Sequence, residues 1–369
     1  MFARLFSGSI MTSTPSSNAV PVMPTPPLVL IFSATDPSSG AGMQADILAS
    51  SSLGAYPLCV VTAVTVQDTV GVESVHPIDA EIVEQQARAI LEDMPVGAFK
   101  IGLLGSVENV IAVAEVIADY PEIPVVFDPV LASGRGDDLS GEDMIAAMQE
   151  LLFPQTTVLT PNSLEARRLA YHHPRHASAL DNEGEDNDEG VLPGELPVLS
   201  DEEHQAVEML ETALQQHEAE EGSGAEISLG ECARQLHKLG CQFVLITGTH
   251  ENTSQVTNSL YGENGLRLRS DNWERLPGSY HGSGCTLASA IAACLAAGTD
   301  IETAVKEGQD YTWQTLANAF RPGMGQFIPD RLFWARGEEE ADAPPHNEDD
   351  FIQQDEFTVS DDPSAGKSV

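Results

Sequence analysis

Apolar runs rich in β-forming residues alternate with amphipathic helical segments, and this alternation constrains the fold more than any other feature. The apolar runs lie at Leu28–Ser33, Leu58–Val66, Ala98–Leu104, Pro124–Val130, Thr156–Thr160 and Gln242–Thr247. The helical segments lie at Met43–Leu53, Ala80–Met94, Val107–Ile117 and Gly141–Leu152. Near-continuous apolar runs are typical of parallel strands that are covered on both faces. The sequence therefore predicts a doubly wound α/β sheet with its functional site at the carboxyl edge of the strands.

The charge of the chain is concentrated outside this pattern. The 369 residues carry a formal net charge of −40, and most of it lies in residues 171–230 and 337–369. We predict a disordered Ser/Thr/Pro-rich leader over 1–27 and a single domain over 28–336. An acidic, partly disordered insertion interrupts that domain at about 171–226, and an acidic disordered tail follows it over 337–369.

The composition also excludes several classes of partner. Nucleic acid and anionic membrane surfaces repel a chain with so large a negative charge. No apolar run is long enough for a transmembrane helix. The chain has five cysteines without CxxC or metal-ligand spacing, and its N-terminus makes a poor secretory signal. We therefore expect a cytoplasmic protein with reduced thiols.

A glycine-rich turn opens a late helix and is the strongest chemical motif. It reads His281-Gly-Ser-Gly-Cys-Thr286 and precedes a small-residue helix over Leu287–Leu295. Unpaired amides in a first helical turn, together with the helix dipole, form an anion site suited to a transferring phosphoryl group. The same field should lower the pKa of Cys285. The alternative is a buried cysteine at a tight packing point, and this motif alone favours neither.

Two other loops follow predicted strands. Asp36-Pro-Ser-Ser-Gly-Ala-Gly42 follows the first strand but matches neither GxGxxG nor the Walker pattern, so on its own it is better explained as an ordinary glycine-rich turn. Asp128 and Glu165 come just after two further strands, where carboxylates could hold Mg²⁺ through water. Capping of a helix is the alternative role for such carboxylates.

Several motifs together carry a resemblance. In chain order they are Asp36–Asp46, Leu53–Tyr56, Thr62–Gln67, Lys100–Gly102, Asp128–Val130, Thr160–Asn162, Glu165 and His281–Thr286. This series resembles the hydroxymethylpyrimidine/phosphomethylpyrimidine kinases of thiamine biosynthesis, which belong to the ribokinase superfamily. The resemblance implies a three-layer αβα fold with a mostly parallel central sheet, and a homodimer. It further implies phosphorylation of 4-amino-5-hydroxymethyl-2-methylpyrimidine with ATP and Mg²⁺, followed in many members by phosphorylation of the monophosphate.

The resemblance also implies roles for individual residues. Cys285 would accept the proton of the substrate hydroxyl, and Gly282 and Gly284 would complete the anion hole with it. Asp128 and Glu165 would organise Mg²⁺ through water. Gln67 would bind the aminopyrimidine edge. The remaining assignments are Ala41, Ala34, Leu103 and Val130 for the pyrimidine pocket, and Thr247 and Gly248 for the nucleotide.

Two departures from the family pattern and two competing functions qualify this interpretation. Thr247 stands where the family often has a lysine that could touch the ATP phosphates, which weakens the case for the second phosphorylation. Thr65 places a hydroxyl where an apolar residue is common. The competing functions are a pyridoxal kinase of the same fold and a catalytically silent pyrimidine-binding regulatory protein. Gln67 favours the pyrimidine over pyridoxal, and the joint presence of anion hole, base and carboxylates disfavours the silent protein.

Overall fold

A computed structural model describes residues 24–132, 139–171 and 227–336 of the chain. Their strands are β1 (Leu28–Thr35), β2 (Tyr56–Gln67), β3 (Val72–Pro77), β4 (Ala98–Ile101), β5 (Val125–Phe127), β6 (Val158–Leu159), β7 (Phe243–Ile246), β8 (Gln255–Tyr261) and β9 (Arg267–Glu274). They form one sheet in the order β3-β2-β1-β4-β5-β6-β7-β8-β9. The six strands from β2 to β7 in this order are parallel, whereas β3, β8 and β9 pair antiparallel at the two edges.

Helices cover both faces of the sheet. They are α1 (Gly42–Ser52), α2 (Ala80–Leu91), α3 (Val107–Ala118), α4 (Glu142–Ala147), α5 (Ser163–Tyr171), α6 (Leu229–Lys238), α7 (Ser283–Ala296) and α8 (Ile301–Ala317). A π-helical turn, Met148–Leu152, and a 3₁₀ turn, Phe153–Gln155, continue α4. Among these helices, none combines the length and hydrophobicity of a membrane span.

Alternation along β1 shows how the layers are held together. Leu28, Leu30 and Phe32 pack in the core that lies under α2 to α6, while Val29 and Ile31 pack in a second core under α1, α7 and α8. Successive side chains of a strand point to opposite faces, so a continuous apolar run is what a sheet with two covered faces requires. The predicted three-layer αβα architecture with a mostly parallel sheet is confirmed.

The sequence pattern located the six parallel strands but missed the three antiparallel strands. β9 alternates exposed and half-buried residues and contains Arg267, Arg269 and Asp271, so it has no continuous apolar run. β3 is likewise exposed or half-buried along its length. The pattern also left α8 unassigned. The run Thr156–Thr160 was predicted too long, because only Val158 and Leu159 pair in the sheet.

The predicted domain boundaries remain untested. The leader over 1–27 lies outside the described residues except for its last four positions, and the insertion and the tail over 337–369 lie almost wholly outside them. Residues up to Arg331 belong to one compact unit. The described part of a second unit, residues 332–336, contains a 3₁₀ turn at Phe333–Ala335.

Candidate active site

The carboxyl ends of the parallel strands carry most of the residues that the sequence singled out. The loop after β1 contains Asp36, β5 is followed directly by Asp128, and β7 is followed by Thr247. Glu165 lies in the first turn of α5, which begins after β6. Parallel strands all end at one edge of the sheet, so the topology gathers these side chains where ligands bind in such folds.

The glycine turn before α7 is packed against the loop after β1. Gly282 is the N-cap of α7 and has a φ of 83°, a left-handed conformation that favours glycine. A Cβ atom at Gly282 would lie 2.0 Å from the carbonyl oxygen of Gly40. The first helical hydrogen bond runs from the Thr286 amide to the Gly282 carbonyl at 3.0 Å. The amides before Thr286 therefore lie at the helix start, where donors are left for an anion.

A buried hydrogen bond joins the same two loops. The Nε2 atom of His281 lies 2.8 Å from Oδ2 of Asp36, and both residues are buried. The Asp36 carboxylate also accepts hydrogen bonds from the amides of Ser38 and Ala41, at 2.8 and 2.7 Å. Burial would raise the pKa of Asp36, but the hydrogen bonds from His281, Ala41 and Ser38 outweigh it and leave the pKa lowered. The negatively charged Asp36 side chain therefore stabilises the conformation of the loop after β1.

Arg331 adds a second clamp from the end of the compact unit. Its guanidinium, which is buried, donates to the carbonyl oxygens of Gly40 and Gly282 and to Oγ1 of Thr286, at 2.5, 3.3 and 2.9 Å. A planar guanidinium can hold several acceptors in a fixed arrangement. Arg331 therefore ties the loop after β1 to the first turn of α7.

Cys285 lies between the two loops and is half-buried. A Cβ atom at the preceding residue, Gly284, would lie 3.4 Å from Oδ1 of Asp128, so this carboxylate faces the first turn of α7. The predicted lowering of the Cys285 pKa is wrong. Burial raises the pKa to about 12, and the charges of Asp128 and Asp46 add to it, so the opposing effects of Lys100 and the Gly42 amide are overcome. In the free protein Cys285 is therefore a protonated thiol.

A fully buried ion pair lies beside this thiol. Nζ of Lys100 donates to Oδ2 of Asp46 at 2.9 Å, and Oγ of Ser289 donates to the other Asp46 oxygen at 2.7 Å. Burial would lower the pKa of Lys100, but Asp46, Cys285 and Asp128 together raise it above its ordinary value. Lys100, on β4, therefore stays positively charged, and Asp46, on α1, holds it in place.

Asp128 and Glu165 are two neighbouring carboxylates, of which Asp128 is buried and Glu165 is half-buried. Burial raises the pKa of Asp128 to about 6 despite the attraction of Lys100. Burial and the charge of Asp128 raise the pKa of Glu165 to about 8. The Asn162 amide donates to Glu165 at 2.9 Å, and the Leu131 amide donates to it at 3.4 Å. Two neighbouring carboxylates whose charges repel each other are the hard oxygen donors that suit Mg²⁺.

The number of protein ligands at this place bears on which metal ion it suits. Across residues 24–132, 139–171 and 227–336, no cluster of three or more His, Cys, Asp or Glu side chains could hold a metal ion. Mg²⁺ is commonly held by one or two carboxylates, with water and substrate phosphates completing its coordination. The pair Asp128 and Glu165 therefore fits that ion.

The residues assigned to the pyrimidine lie around the same edge. Ala34 is buried near the end of β1, and Ala41 is the N-cap of α1. Leu103 and Val130 are half-buried in the loops after β4 and β5. Gln67 is the last residue of β2, and its Nε2 atom donates to Oγ1 of Thr65 at 2.7 Å.

The residues assigned to the nucleotide lie at the end of β7. Thr247 forms a parallel bridge with Asn162, which sets the end of β7 beside the start of α5. A Cβ atom at Gly248 would lie 2.3 Å from the carbonyl oxygen of Thr257, so glycine is needed for this close approach. The Gly248 amide donates to Oδ1 of Asn258 at 3.1 Å.

Sequence reasoning gave no role to four residues that shape the site. Lys100, Asp46 and His281 stand inside the recognised motifs, but their partners lie in distant segments and no local pattern predicts the pairing. Arg331 lies after the last helix of the compact unit, in a short segment without a periodic pattern.

Comparisons with known proteins agree with this geometry. The chain matches the phosphomethylpyrimidine kinase family over residues 36–189 and 210–330. It is 33% identical over 321 residues to a hydroxymethylpyrimidine/phosphomethylpyrimidine kinase of Mycobacterium tuberculosis, covering 86% of this chain and 98% of that protein. The chain belongs to the phosphomethylpyrimidine kinase family. The resemblance identified from the motifs is thereby confirmed.

Solved structures support the same relationship. A phosphomethylpyrimidine kinase from Clostridium difficile has 26% identity and a TM-score of 0.56, covering 78% of this chain and 99% of that one. A Staphylococcus aureus pyridoxal kinase in complex with ADP has 25% identity and a TM-score of 0.62, covering 84% of this chain and 94% of that one. The predicted ribokinase-like fold and the kinase class are confirmed, and pyridoxal kinases are relatives of the chain.

Proposed function

We propose that the chain transfers the γ-phosphoryl group of ATP to the hydroxyl of 4-amino-5-hydroxymethyl-2-methylpyrimidine, a step of thiamine diphosphate biosynthesis. The observation that carries the proposal is the position of Cys285. Cys285 lies in the first turn of α7, which the Asp128 carboxylate faces, at the edge where the parallel strands end. A proton-transfer group thus adjoins an anion site.

The proton transfer follows from the state of that thiol. A primary alcohol ionises far above neutral pH, so a base must accept its proton as it attacks phosphorus. The hydroxyl proton passes to the Cys285 sulfur while the thiol proton passes to the Asp128 carboxylate, which faces the first turn of α7. The substrate oxygen forms a bond to the γ-phosphorus, the bond from that phosphorus to the β,γ-bridging oxygen breaks, and ADP leaves.

The start of α7 supports the phosphoryl group during this transfer. Backbone amides near Gly282 and Gly284, together with the helix dipole, stabilise the negative charge on the oxygens of the transferring group. The clamps formed by Arg331 and by the pair of Asp36 and His281 hold these amides in place before the reaction. Preorganised dipoles of this kind need no rearrangement when charge develops.

Mg²⁺ and ATP complete the proposed site. Asp128 and Glu165 would hold Mg²⁺ through water, and the ion would supply positive charge that offsets the phosphate oxygens. Thr247 and Gly248 would contact the nucleotide. Thr247 brings a hydroxyl and no charge, so the proposal is stronger for phosphorylation of the alcohol than for phosphorylation of the monophosphate.

The pyrimidine is proposed to lie over the ends of β1, β2, β4 and β5. Gln67 would bind its aminopyrimidine edge. Ala34, Ala41, Leu103 and Val130 would form the apolar walls of the pocket. Small residues at Ala34 and Ala41 leave space for a flat ring close to the backbone.

A phosphate-transfer assay tests the function. The alcohol, its monophosphate and pyridoxal are supplied separately with Mg²⁺-ATP, and products are resolved by mass. We expect the alcohol to give the monophosphate with the highest kcat/KM of the three substrates. A higher kcat/KM for pyridoxal would instead make the chain a vitamin B6 kinase. Pyrimidine binding without any phosphate transfer would support the silent regulatory protein.

Two further expectations are part of the proposal. The protein is proposed to be a cytoplasmic homodimer. Exposed Val64 and Val66 on β2 and Val70 beyond it give that strand an apolar outer surface that a second copy could cover. Light scattering after size-exclusion chromatography would give the mass, and a monomer at micromolar concentration would contradict the dimer.

A further inference from the structure

A short hydrogen-bond relay fixes the amide of Gln67. Gln67 and Thr65 are two residues apart on β2, so both side chains lie on the same face of the strand. Oγ1 of Thr65 lies 2.7 Å from the carbonyl oxygen of Thr35, and Nε2 of Gln67 lies 2.7 Å from Oγ1 of Thr65. Thr65 is buried and Gln67 is half-buried. The relay therefore runs from the backbone at the end of β1 to the rim of the proposed pocket.

The single hydroxyl proton of Thr65 determines which way the side-chain amide of Gln67 points. A backbone carbonyl only accepts hydrogen bonds, so the single hydroxyl proton of Thr65 is committed to Thr35. Toward Gln67 the Thr65 oxygen can then offer only a lone pair. The Gln67 side chain must present its NH₂ group to that lone pair, because its carbonyl oxygen would face another acceptor. This conclusion follows from the donors and acceptors and does not depend on how the amide atoms are assigned.

The orientation leaves Oε1 of Gln67 available for a ligand. Within residues 24–132, 139–171 and 227–336, the hydrogen bond of the Gln67 side chain is the one that uses Nε2. An oriented acceptor at this position matches a ligand that presents an N–H group, such as the exocyclic amine of an aminopyrimidine. It mismatches a ligand that presents an oxygen without a proton there, such as a ring carbonyl.

We propose that Thr65 is a positioning residue that makes the site selective for a ring amine, by holding the Gln67 carbonyl oxygen toward the substrate. The inference rests on the proposed function, since it places the pyrimidine beside Gln67. Loss of the Thr65 hydroxyl frees the amide to rotate, and Gln67 then offers a donor or an acceptor with little preference. Thr65 acts through Gln67 and does not touch the substrate.

Thr65→Val tests this proposal because valine has nearly the shape of threonine without its hydroxyl. The ligands are the aminopyrimidine alcohol and its 4-oxo analogue, which has an oxygen in place of the amine. For each we would measure kcat/KM and, without ATP, the Kd by calorimetry. We expect the amine-to-oxo ratio to fall about tenfold in Thr65→Val, a change typical of one lost hydrogen bond. Part of the fall comes from improved binding of the oxo analogue, which a merely damaged pocket would not give.

Thr65→Ser is the matched variant because it keeps the hydroxyl and removes the methyl group. It should keep the amine-to-oxo ratio within about twofold of the original protein. An unchanged ratio in Thr65→Val would overturn the proposal, and so would an equal loss of ratio in both variants, since that would assign the effect to packing. The Kd values separate this inference from the proposed function. A protein that prefers the amine without transferring phosphate refutes the function and keeps the relay, whereas equal Kd values for the two ligands in the original protein overturn the relay.

Discussion

Gly282→Ala is the perturbation whose effect the structure defines most closely. The added Cβ atom would lie 2.0 Å from the Gly40 carbonyl oxygen and 2.8 Å from Cα of Ala41. Non-bonded heavy atoms prefer separations of about 3.5 Å, so the two loops must move apart by about 1.5 Å. A displacement of about 1 Å can cost about 100-fold in rate when it disturbs a reacting geometry. We therefore expect kcat/KM to fall by about 100-fold or more.

Gly298→Ala is a matched control for backbone strain. Gly298 has the same φ of 83°, but a Cβ atom there would have no heavy atom within 4 Å. Both variants force alanine into the left-handed region, which costs about 1–2 kcal/mol. Both should therefore lower the melting temperature by a few degrees, whereas Gly282→Ala alone should lose activity.

Activity and stability are measured on the same preparations. An ADP-release assay gives kcat/KM with the aminopyrimidine alcohol, and thermal unfolding gives the melting temperature. The reasoning would be refuted if Gly282→Ala and Gly298→Ala lost the same fraction of activity. In that case the contact between the two loops would not position the catalytic amides.

The remaining predictions concern the metal and the second substrate. Because burial raises the pKa values of Asp128 and Glu165 to about 6 and about 8, both groups bind protons that a divalent cation must displace. Binding of Mn²⁺ in place of Mg²⁺, followed by electron paramagnetic resonance, should therefore weaken by about 50-fold or more from pH 8 to pH 6, and a flat profile would place the ion elsewhere. Thr247→Lys should raise kcat/KM for the monophosphate by about tenfold relative to the alcohol, because a lysine gives a charge-assisted contact to phosphate. Thr247→Ser should leave that ratio unchanged, and an equal gain in both variants would mean that charge is not the cause.

Most of the sheet could be predicted because its strands are buried on both faces. β1 is a continuous apolar run, and such runs have few alternatives in a chain that alternates strands and helices. The edge strands β3 and β9 have little to bury, so their sequences resemble loops. What identifies them is their antiparallel pairing with β2 and β8, which a local pattern does not contain.

The site shows the same division between local and long-range information. The turn at Gly282–Cys285 is a local motif, and its placement at the start of α7 was predictable. The protonation state of Cys285 was not, because it depends on burial by other segments and on Asp46 and Asp128. A helix N-terminus favours a thiolate in isolation, but loss of water and two carboxylates outweigh that field here.

The part that the sulfur takes in proton transfer is the central claim, and the rate of a single turnover in Cys285→Ser tests it most directly. With saturating aminopyrimidine alcohol and Mg²⁺-ATP, quenched-flow measurement of the monophosphate reports the transfer step without product release. We predict a rate about 10²–10⁴-fold below that of the original protein, as expected for loss of a group that takes part in the proton transfer, with the Kd of the alcohol within a few-fold. An unchanged single-turnover rate would contradict the account and leave the hydroxyl proton to another group.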